Sequence, residues 1–397
     1  MKDSSLKLYL EINNLSFVFL VGENDEYGNF KIVYNLELPL QGIENRRIIN
    51  LEKVLDVIKK NVYFVEQKLN HTFKEIFLIL ENFELTFINF SGFKKLNGSQ
   101  ILRENITYIL NNLKSCVDKT ESKKTILHIF NSKFNLDNKK IDNLPIGLFG
   151  DSYSHELSFI LINKNEYKNL KTIFNKCNLK IKKIFIKSFF EGVHISKNNN
   201  SNTFFKLKIY KNNSKIFYFE NNSLKFEQIF QFGSDIIIKD ISKIISLKKE
   251  IVEIILGQNK LTSDISEDEL VEKIFFNNES FRKIKKKLIY EIALARIKEI
   301  FDLILFKNIN LKFYHKCSKN IFLEFTEKSH SKTFREISQM IFYRNNYTNL
   351  NFTDNLSNEG ILSSANKLVH FGWDKEAIPI SHSKKSLIAR LFDTLFG

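Results

Sequence analysis

Two stretches of this 397-residue chain carry side chains whose type and spacing suit them to hold something else. Residues 386–397 place Leu387, Ile388, Leu391, Phe392, Leu395 and Phe396 at i, i+1, i+4, i+5, i+8 and i+9, one continuous helical face,. Lys384, Lys385, Arg390 and Asp393 stand on or beside the opposite face. So short a helix is marginal in water, because nucleation is costly. In a membrane interface it buries its apolar face, and each lysine that meets anionic headgroups contributes about 1 kcal/mol. Packing back on the chain's own core is the competing reading. The terminal position, the polar linker 373–383 with Pro379, and the basic residues that introduce the helix favour the membrane. In the second stretch, Arg296 and Glu299 lie one turn apart on a helical pattern. A guanidinium in general can hold a carboxylate in bidentate fashion, and Lys283, Lys285, Lys286 and Lys287 make the approach to it basic,. The same two residues can instead satisfy one another as an i, i+3 pair worth a few tenths of a kcal/mol.

Glycine spacing closes other routes to chemistry. Of 13 glycines, only Gly147 and Gly150 lie within five positions of each other, so no G-x-G-x-x-G turn, no phosphate loop and no G-x-S-x-G elbow can be written,. The net charge of +15 would suit a phosphate-bearing partner, but the lysines are spread along the chain and no aromatic-interleaved basic cluster or reading module argues for nucleic acid,. Cys116, Cys177 and Cys317 form no C-x-x-C pair, and His315 with Cys317 is an isolated His/Cys pair, which indicates neither a disulfide framework nor a metal site and points to a reducing cytoplasm,. No apolar run reaches spanning length,.

The elements that must position these groups follow a repeated order. Two β-rich runs broken at Asn13 and Asn14 predict a hairpin, followed by a strand over 30–38, a helix over 50–69 with Asn50 as N-cap, and a buried strand over 75–80,. A hairpin over 204–219 broken at Asn212 and Asn213, a strand over 224–230 and a helix over 235–246 repeat it. The pattern predicts a duplicated RNase H-like α/β fold of the actin/Hsp70 superfamily. Between the repeats, 82–165 reads as an inserted α/β unit with strands near 125–130 and 155–162 and a helix near 103–117. Residues 267–306 read as strongly helical, with a stripe of Leu270, Ile274, Ile284, Leu288, Ile292, Ile297 and Phe301.

Within 126–150, Leu127, His128, Phe134, Asp137, Ile141, Asn143, Pro145, Gly147 and Gly150 fall where the FtsA family of actin-like bacterial cell-division proteins carries its own signature. The chain resembles that family in five further places, at residues 10–14, 41–50, 167–181, 292–300 and 364–372, in family order. The resemblance implies a first actin-like subdomain over 1–81 and 163–202 and an inserted subdomain over 82–162. A second actin-like subdomain covers 203–232 and 308–372, and a helical FtsZ-binding subdomain 233–307; linker 373–383 and membrane helix 384–397 complete the chain. It implies a tether of FtsZ filaments at the cytoplasmic face of the inner membrane, in the assembly of the division septum. The FtsZ C-terminal tail would be received near Arg296 and Glu299, anionic lipids by the terminal helix, and later division proteins by the inserted subdomain; self-association is left open.

Intact members hold ATP and magnesium between two glycine-bearing hairpins. Against that pattern Glu11 keeps the acidic position, but Asn13 stands where glycine is expected. In the second hairpin Lys208 and Lys215 replace acidic residues, while Tyr210, Lys211 and Asn212 replace glycines. Residues 324–333 replace the adenosine-side loop. Gly233 and Asp240 keep a remnant of a further motif, with Ile238 in place of threonine. The expectation is a vestigial site with no cofactor and no ATPase activity. The alternatives are lysines that bind phosphate without metal, an active polymerising ATPase, and a pilus-assembly actin homologue.

Overall fold

The computed structural model describes residues 6–24, 30–81, 83–258, 261, 264–276, 280–316, 318–327, 330–347, 349–354, 356–371, 376 and 377. Strands β1 (Lys7–Ile12) and β2 (Ser16–Asn24) form the first hairpin. A side chain makes its turn: Asn13 Oδ1 accepts from the backbone N–H of Leu15 at 2.9 Å and of Ser16 at 2.7 Å, as asparagine does in such turns. Strand β3 (Phe30–Pro39) pairs antiparallel with β2, and the short ribbon β4 (Ile43–Glu44) and β5 (Arg47–Ile48) leads to α1 (Leu51–Leu69). Asn50 caps α1, its Oδ1 accepting from Lys53 N–H at 2.9 Å,. Strand β6 (Glu75–Leu80) then lies parallel to β1.

The inserted unit follows: β7 (Leu85–Lys95), α2 (Arg103–Thr120), β8 (Lys124–Leu136), β9 (Lys139–Ile141) and β10 (Ser152–Asn163), an antiparallel sheet in the order β7-β10-β8-β9. The chain returns through α3 (Lys164–Lys176) and β11 (Lys180–Ile186), completing a first sheet ordered β3-β2-β1-β6-β11, and crosses on α4 (Lys187–Asn199). The second half repeats the plan with β12 (Phe204–Ile209), β13 (Ser214–Glu220), β14 (Ser223–Phe230), α5 (Asp235–Ile245), α6 (Lys249–Gln258) and α7 (Lys286–Phe301). After these come β15 (Ile321–Phe325), α8 (Ser331–Arg344), β16 (Leu350–Phe352) and α9 (Asn358–Phe371). Its sheet is ordered β14-β13-β12-β15-β16, with the same two antiparallel and two parallel pairings as the first. The fold is thus the duplicated RNase H-like arrangement of actin-like proteins with a small α/β insertion. The helix expected at 384–397 lies outside the described residues.

Period-two alternation sorts the core. Leu8, Leu10 and Ile12 of β1 pack toward Val54 and Ile58 of α1 and Leu170 and Ile173 of α3. Tyr9 points the other way, into a cluster with Phe77 and Ile79 of β6, Phe189 and Val193 of α4, Phe204 of β12, Phe217 of β13, Phe322 of β15 and Leu362 of α9. The inner faces of both sheets therefore meet across α4 and α9.

One expectation is corrected. The long helix over 267–306 begins only at Lys286. Before it the chain folds back on itself: Val271 N–H donates to Ile284 O at 2.8 Å, Lys286 N–H donates to Glu269 O at 2.8 Å, and Leu270 bridges to Lys285. Ile274 and Leu288 of the expected stripe are exposed. The buried face of α7 keeps Ile297 and Phe301 of that stripe and adds Ile289, Tyr290, Ala293 and Ile300.

Candidate functional site

In open α/β sheets a ligand binds in the crevice outside the carboxyl ends of the parallel strands. In this chain those ends, from both halves, are brought together and carry charged side chains on their inner faces. Glu11 lies near the end of β1, Glu81 just past β6, Lys206 and Lys208 on β12, and Glu324 on β15; all are nearly fully buried. The first turn of α4 adds Lys187, and its next turn Glu191.

These groups are one another's partners. Lys187 Nζ donates to Glu11 at 2.7 Å and to Glu81 at 2.9 Å. Lys208 Nζ donates to Glu191 at 2.6 Å and lies 3.5 Å from Glu324 and 3.9 Å from Glu81. Lys206 pairs with Glu324 at 2.7 Å and donates to the Thr353 hydroxyl. The Tyr210 hydroxyl donates to Glu81 at 2.5 Å. Beside this cluster Lys215 lies 3.7 Å from Glu227, which also accepts from the Ser188 hydroxyl. Lys208 and Tyr210 belong to the second half and Glu81 to the first, so the cluster ties the halves together across the cleft.

Burial disfavours every one of these charges. At Lys208 the carboxylates of Glu191, Glu324 and Glu81 outweigh it and raise the pKa, and Glu81 and Glu11 do the same at Lys187. Against the same burial, Lys187 and Lys208 hold Glu81 and Glu191 below the ordinary carboxylate range. Burial prevails at Lys206 and lowers its pKa in spite of Glu324. Tyr210 is raised by burial and then by Glu81, which keeps its hydroxyl protonated and donating.

Part of the backbone at both turns is also engaged. Asn13 Oδ1 takes the N–H groups of the first turn. At the second, Tyr210 N–H donates to Asn213 O at 2.9 Å, while the turn's carbonyls of Tyr210 and Lys211 accept from Ser234 N–H at 2.8 Å and Asp235 N–H at 2.9 Å. Gly233 permits this docking: a Cβ there would lie 2.1 Å from Tyr210 O and 2.6 Å from Lys211 O. A cavity of about 490 Å³ borders the cluster at Glu191, His194, Lys206, Glu324 and Thr353, and its lysine and glutamates are already paired within the protein.

Of the residues singled out from sequence, Glu11 and Lys208 enter the cluster, Lys215 lies beside it, and Gly233 packs the second turn. Asp240 is elsewhere, on α5, where it pairs with Arg296; Arg296 also donates to Glu299 at 2.7 Å. These three form one partly exposed triad. His315 donates through Nε2 to Leu305 O at 3.0 Å and accepts at Nδ1 from the Tyr347 hydroxyl at 2.9 Å, a packing role; Cys317 lies outside the described residues. Lys384, Lys385, Leu387, Ile388, Arg390, Leu391, Phe392, Leu395 and Phe396 also lie outside them. Sequence reasoning did not single out Lys187, Glu81 or Glu191. Lys187 and Glu191 lie on α4 and Glu81 just past β6, where no local pattern marks them. Among the described residues no helix is long and apolar enough to cross a membrane, and no three His, Cys, Asp or Glu side chains are grouped to hold a metal ion.

No protein-family model matches the chain. It is similar to proteins named cell division protein FtsA. With that of Buchnera aphidicola subsp. Schizaphis graminum it shares 25% identity over 246 residues, 61% of this chain and 57% of the relative. With that of Buchnera aphidicola subsp. Baizongia pistaciae it shares 23% over 383 residues, 91% of this chain and 90% of the relative. Among solved structures, the PilM–PilN type IV pilus biogenesis complex superposes with a TM-score of 0.50 at 8% identity, over 94% of this chain and 98% of that one. That likeness is one of fold.

Proposed function

We propose that this chain is an actin-like cell-division adaptor that tethers FtsZ filaments to the cytoplasmic face of the inner membrane and helps assemble the division septum, without binding or hydrolysing ATP. The observation that carries the adaptor reading over an ATPase is the buried Lys187–Glu81 and Lys208–Glu191 cluster, which occupies the crevice with the protein's own ions. A nucleotide needs backbone N–H donors and a metal-side carboxylate. Here Leu15 and Ser16 N–H are taken by the Asn13 side chain, Tyr210 N–H by the Asn213 carbonyl, and Glu11 is paired with Lys187. The direct binding of phosphate by lysines is disfavoured for the same reason, since each cluster lysine already faces carboxylates.

The similarity to FtsA proteins supports the division role, and the amphipathic pattern of 384–397 supports the membrane contact. The filament contact is assigned to the surface around Arg296, whose guanidinium is about a quarter exposed and exchanges Asp240 or Glu299 for an incoming carboxylate,. Each contact is weak alone. Many adaptors along one filament on one membrane convert them to firm attachment.

The test is capture of an FtsZ tail peptide by the full chain with and without anionic liposomes. Arg296→Glu should abolish capture, and deletion of 384–397 should abolish sedimentation with liposomes. Full capture by Arg296→Glu overturns the filament surface, and a measurable heat of magnesium-ATP binding overturns the cofactor-free reading. The likeness to the pilus complex is of fold alone and does not favour a pilus role.

A further inference from the structure

Five and six residues beyond the end of α9, Glu376 and Ala377 lie against the inserted sheet. The strand they meet, β8, is paired with β10 on one side; on the other, β9 covers only Phe134–Leu136 and leaves the edge at Ile129 and Phe130 open. An open edge offers unpaired backbone groups to any extended chain. Glu376 bridges antiparallel to Phe130, and Ala377 N–H donates to Ile129 O at 2.8 Å. The Glu376 carboxylate is held from two elements, by His128 Nδ1 of β8 at 3.0 Å and by Lys183 Nζ of β11 at 2.8 Å. Ala377 is buried with Val117 of α2, Ile129 of β8 and Leu157 of β10. A main-chain pairing, a side-chain contact to each neighbouring unit and a buried methyl make this a built contact.

We propose that Glu376 and Ala377 form a retaining clip that fixes the anchor point of the membrane-binding segment's tether at the seam between the inserted sheet and the first-half sheet. The inference rests on the reading of 384–397 as the membrane-binding segment. Its consequence is a shorter tether. Counted from Phe371, twelve residues, 372–383, precede the basic start of that segment; counted from the clip, six do, 378–383. At 3.3–3.6 Å per fully extended residue the maximal reach falls from about 40 Å to about 20 Å. The clip thus holds the inserted sheet and first half close to the bilayer, where a tether from α9 would let the body swing.

The experiment uses the full chain on bilayers of phosphatidylethanolamine and phosphatidylglycerol, with Glu376→Lys, Ala377→Pro and a deletion of 384–397. Ala377→Pro removes the donated N–H without altering charge. Hydrogen exchange should show the Ala377 amide protected in the parent and exchanging at least about tenfold faster in Glu376→Lys. Exchange at Asn131, whose N–H lies on the same edge as the Ile129 carbonyl, should rise in both variants,. Both should still sediment with vesicles, and neutron reflectometry should place their protein layer farther from the bilayer, by up to about 20 Å. Unchanged exchange in both variants, or an unchanged layer height, overturns the clip. Vesicle sedimentation that survives the deletion overturns the membrane reading instead, and exchange then judges the clip contact by itself.

Discussion

The two halves repeat one hairpin and put opposite charges at the same place in it. In β1 the fifth of six residues is Glu11; in β12 the fifth of six is Lys208. Each lies on the inner face, and each hairpin is followed by a third antiparallel strand. Carboxylates at both positions would face one another across the crevice and need a cation between them. With one sign reversed, the halves neutralise each other through Lys187, Glu81 and Glu191. The turns differ in the same sense. The first is made by the Asn13 side chain and leaves Leu15 exposed, whereas the second is covered by the start of α5 and sends the Tyr210 hydroxyl to Glu81. On the cofactor-free reading proposed above, a duplicated fold keeps its closure without a ligand because one repeat supplies the counterion of the other.

The comparison breaks most easily at Lys208. Lys208→Met leaves Glu191 buried without its nearest cation, and removing one member of a buried pair costs about 3–5 kcal/mol. Urea unfolding should show that loss. Adding Glu191→Leu should recover at least about half of it, because apolar replacement of a whole buried pair is often neutral. A single variant as stable as the parent would show that the opposite charges do not hold the halves.

Acid attacks the same carboxylates and extends the comparison to the clip. Burial alone would raise the pKa of Glu376; the hydrogen bond and charge of His128, with Lys183, bring it down to about 2. Glu81 and Glu191 are lowered as well. A depressed carboxylate contributes stability that is fully present above its unfolded pKa and is lost as pH falls through the folded one. Stability should therefore decline below about pH 4.5, with roughly 3 kcal/mol from Glu376 lost between there and about pH 2. Unfolding midpoints followed from pH 7 to pH 2 test this, and Glu376→Gln should remove that share of the slope.

Much of this was legible in the sequence, and the reason is local. Asn50 as a cap, Asn13 and Asn14 as a turn, and the two hairpin-strand-helix runs are set by residues within a few positions of each other, and the structure carries them. The 267–285 segment misled because apolar spacing is the same for a helix and for a chain folded back by the Leu270 to Lys285 bridge. Strands β7 and β15 went unread, β7 even though the turn dipeptide Asn97-Gly98 follows it,. The cluster was illegible for a different reason: Glu11, Glu81, Lys187, Lys208 and Glu324 are far apart in the chain, and each alone reads as an ordinary charge. Only the resemblance drew attention to Glu11, Lys208 and Lys215, and it implied a nucleotide and metal beside them, not the ion pairs they make.

A smaller effect sharpens the contrast between the turns. Gly233→Ala drives a methyl against the Tyr210 and Lys211 carbonyls. Backbone must shift to admit it, at about 1–3 kcal/mol. The displaced turn should also move Tyr210 away from Glu81, read as a change in tyrosine fluorescence at neutral pH. No loss of thermal stability in Gly233→Ala would mean that the start of α5 does not hold the second hairpin.

The smallest effect comes where an acid meets a base near solvent. Asp240 and Arg296 have the same chemistry as the buried pairs, but both side chains are more than a fifth exposed, and such pairs contribute less than about 1 kcal/mol,. Asp240→Asn should therefore leave the unfolding midpoint nearly unchanged. It removes one of two carboxylates that compete for the Arg296 guanidinium, so an acidic FtsZ tail peptide should bind more tightly, by less than about fivefold. Fluorescence anisotropy of a labelled peptide measures that change. Weaker binding in Asp240→Asn would mean that Asp240 positions Arg296 for the peptide rather than competing with it, and the surface pair would then resemble the buried cluster in holding a geometry rather than waiting for a partner.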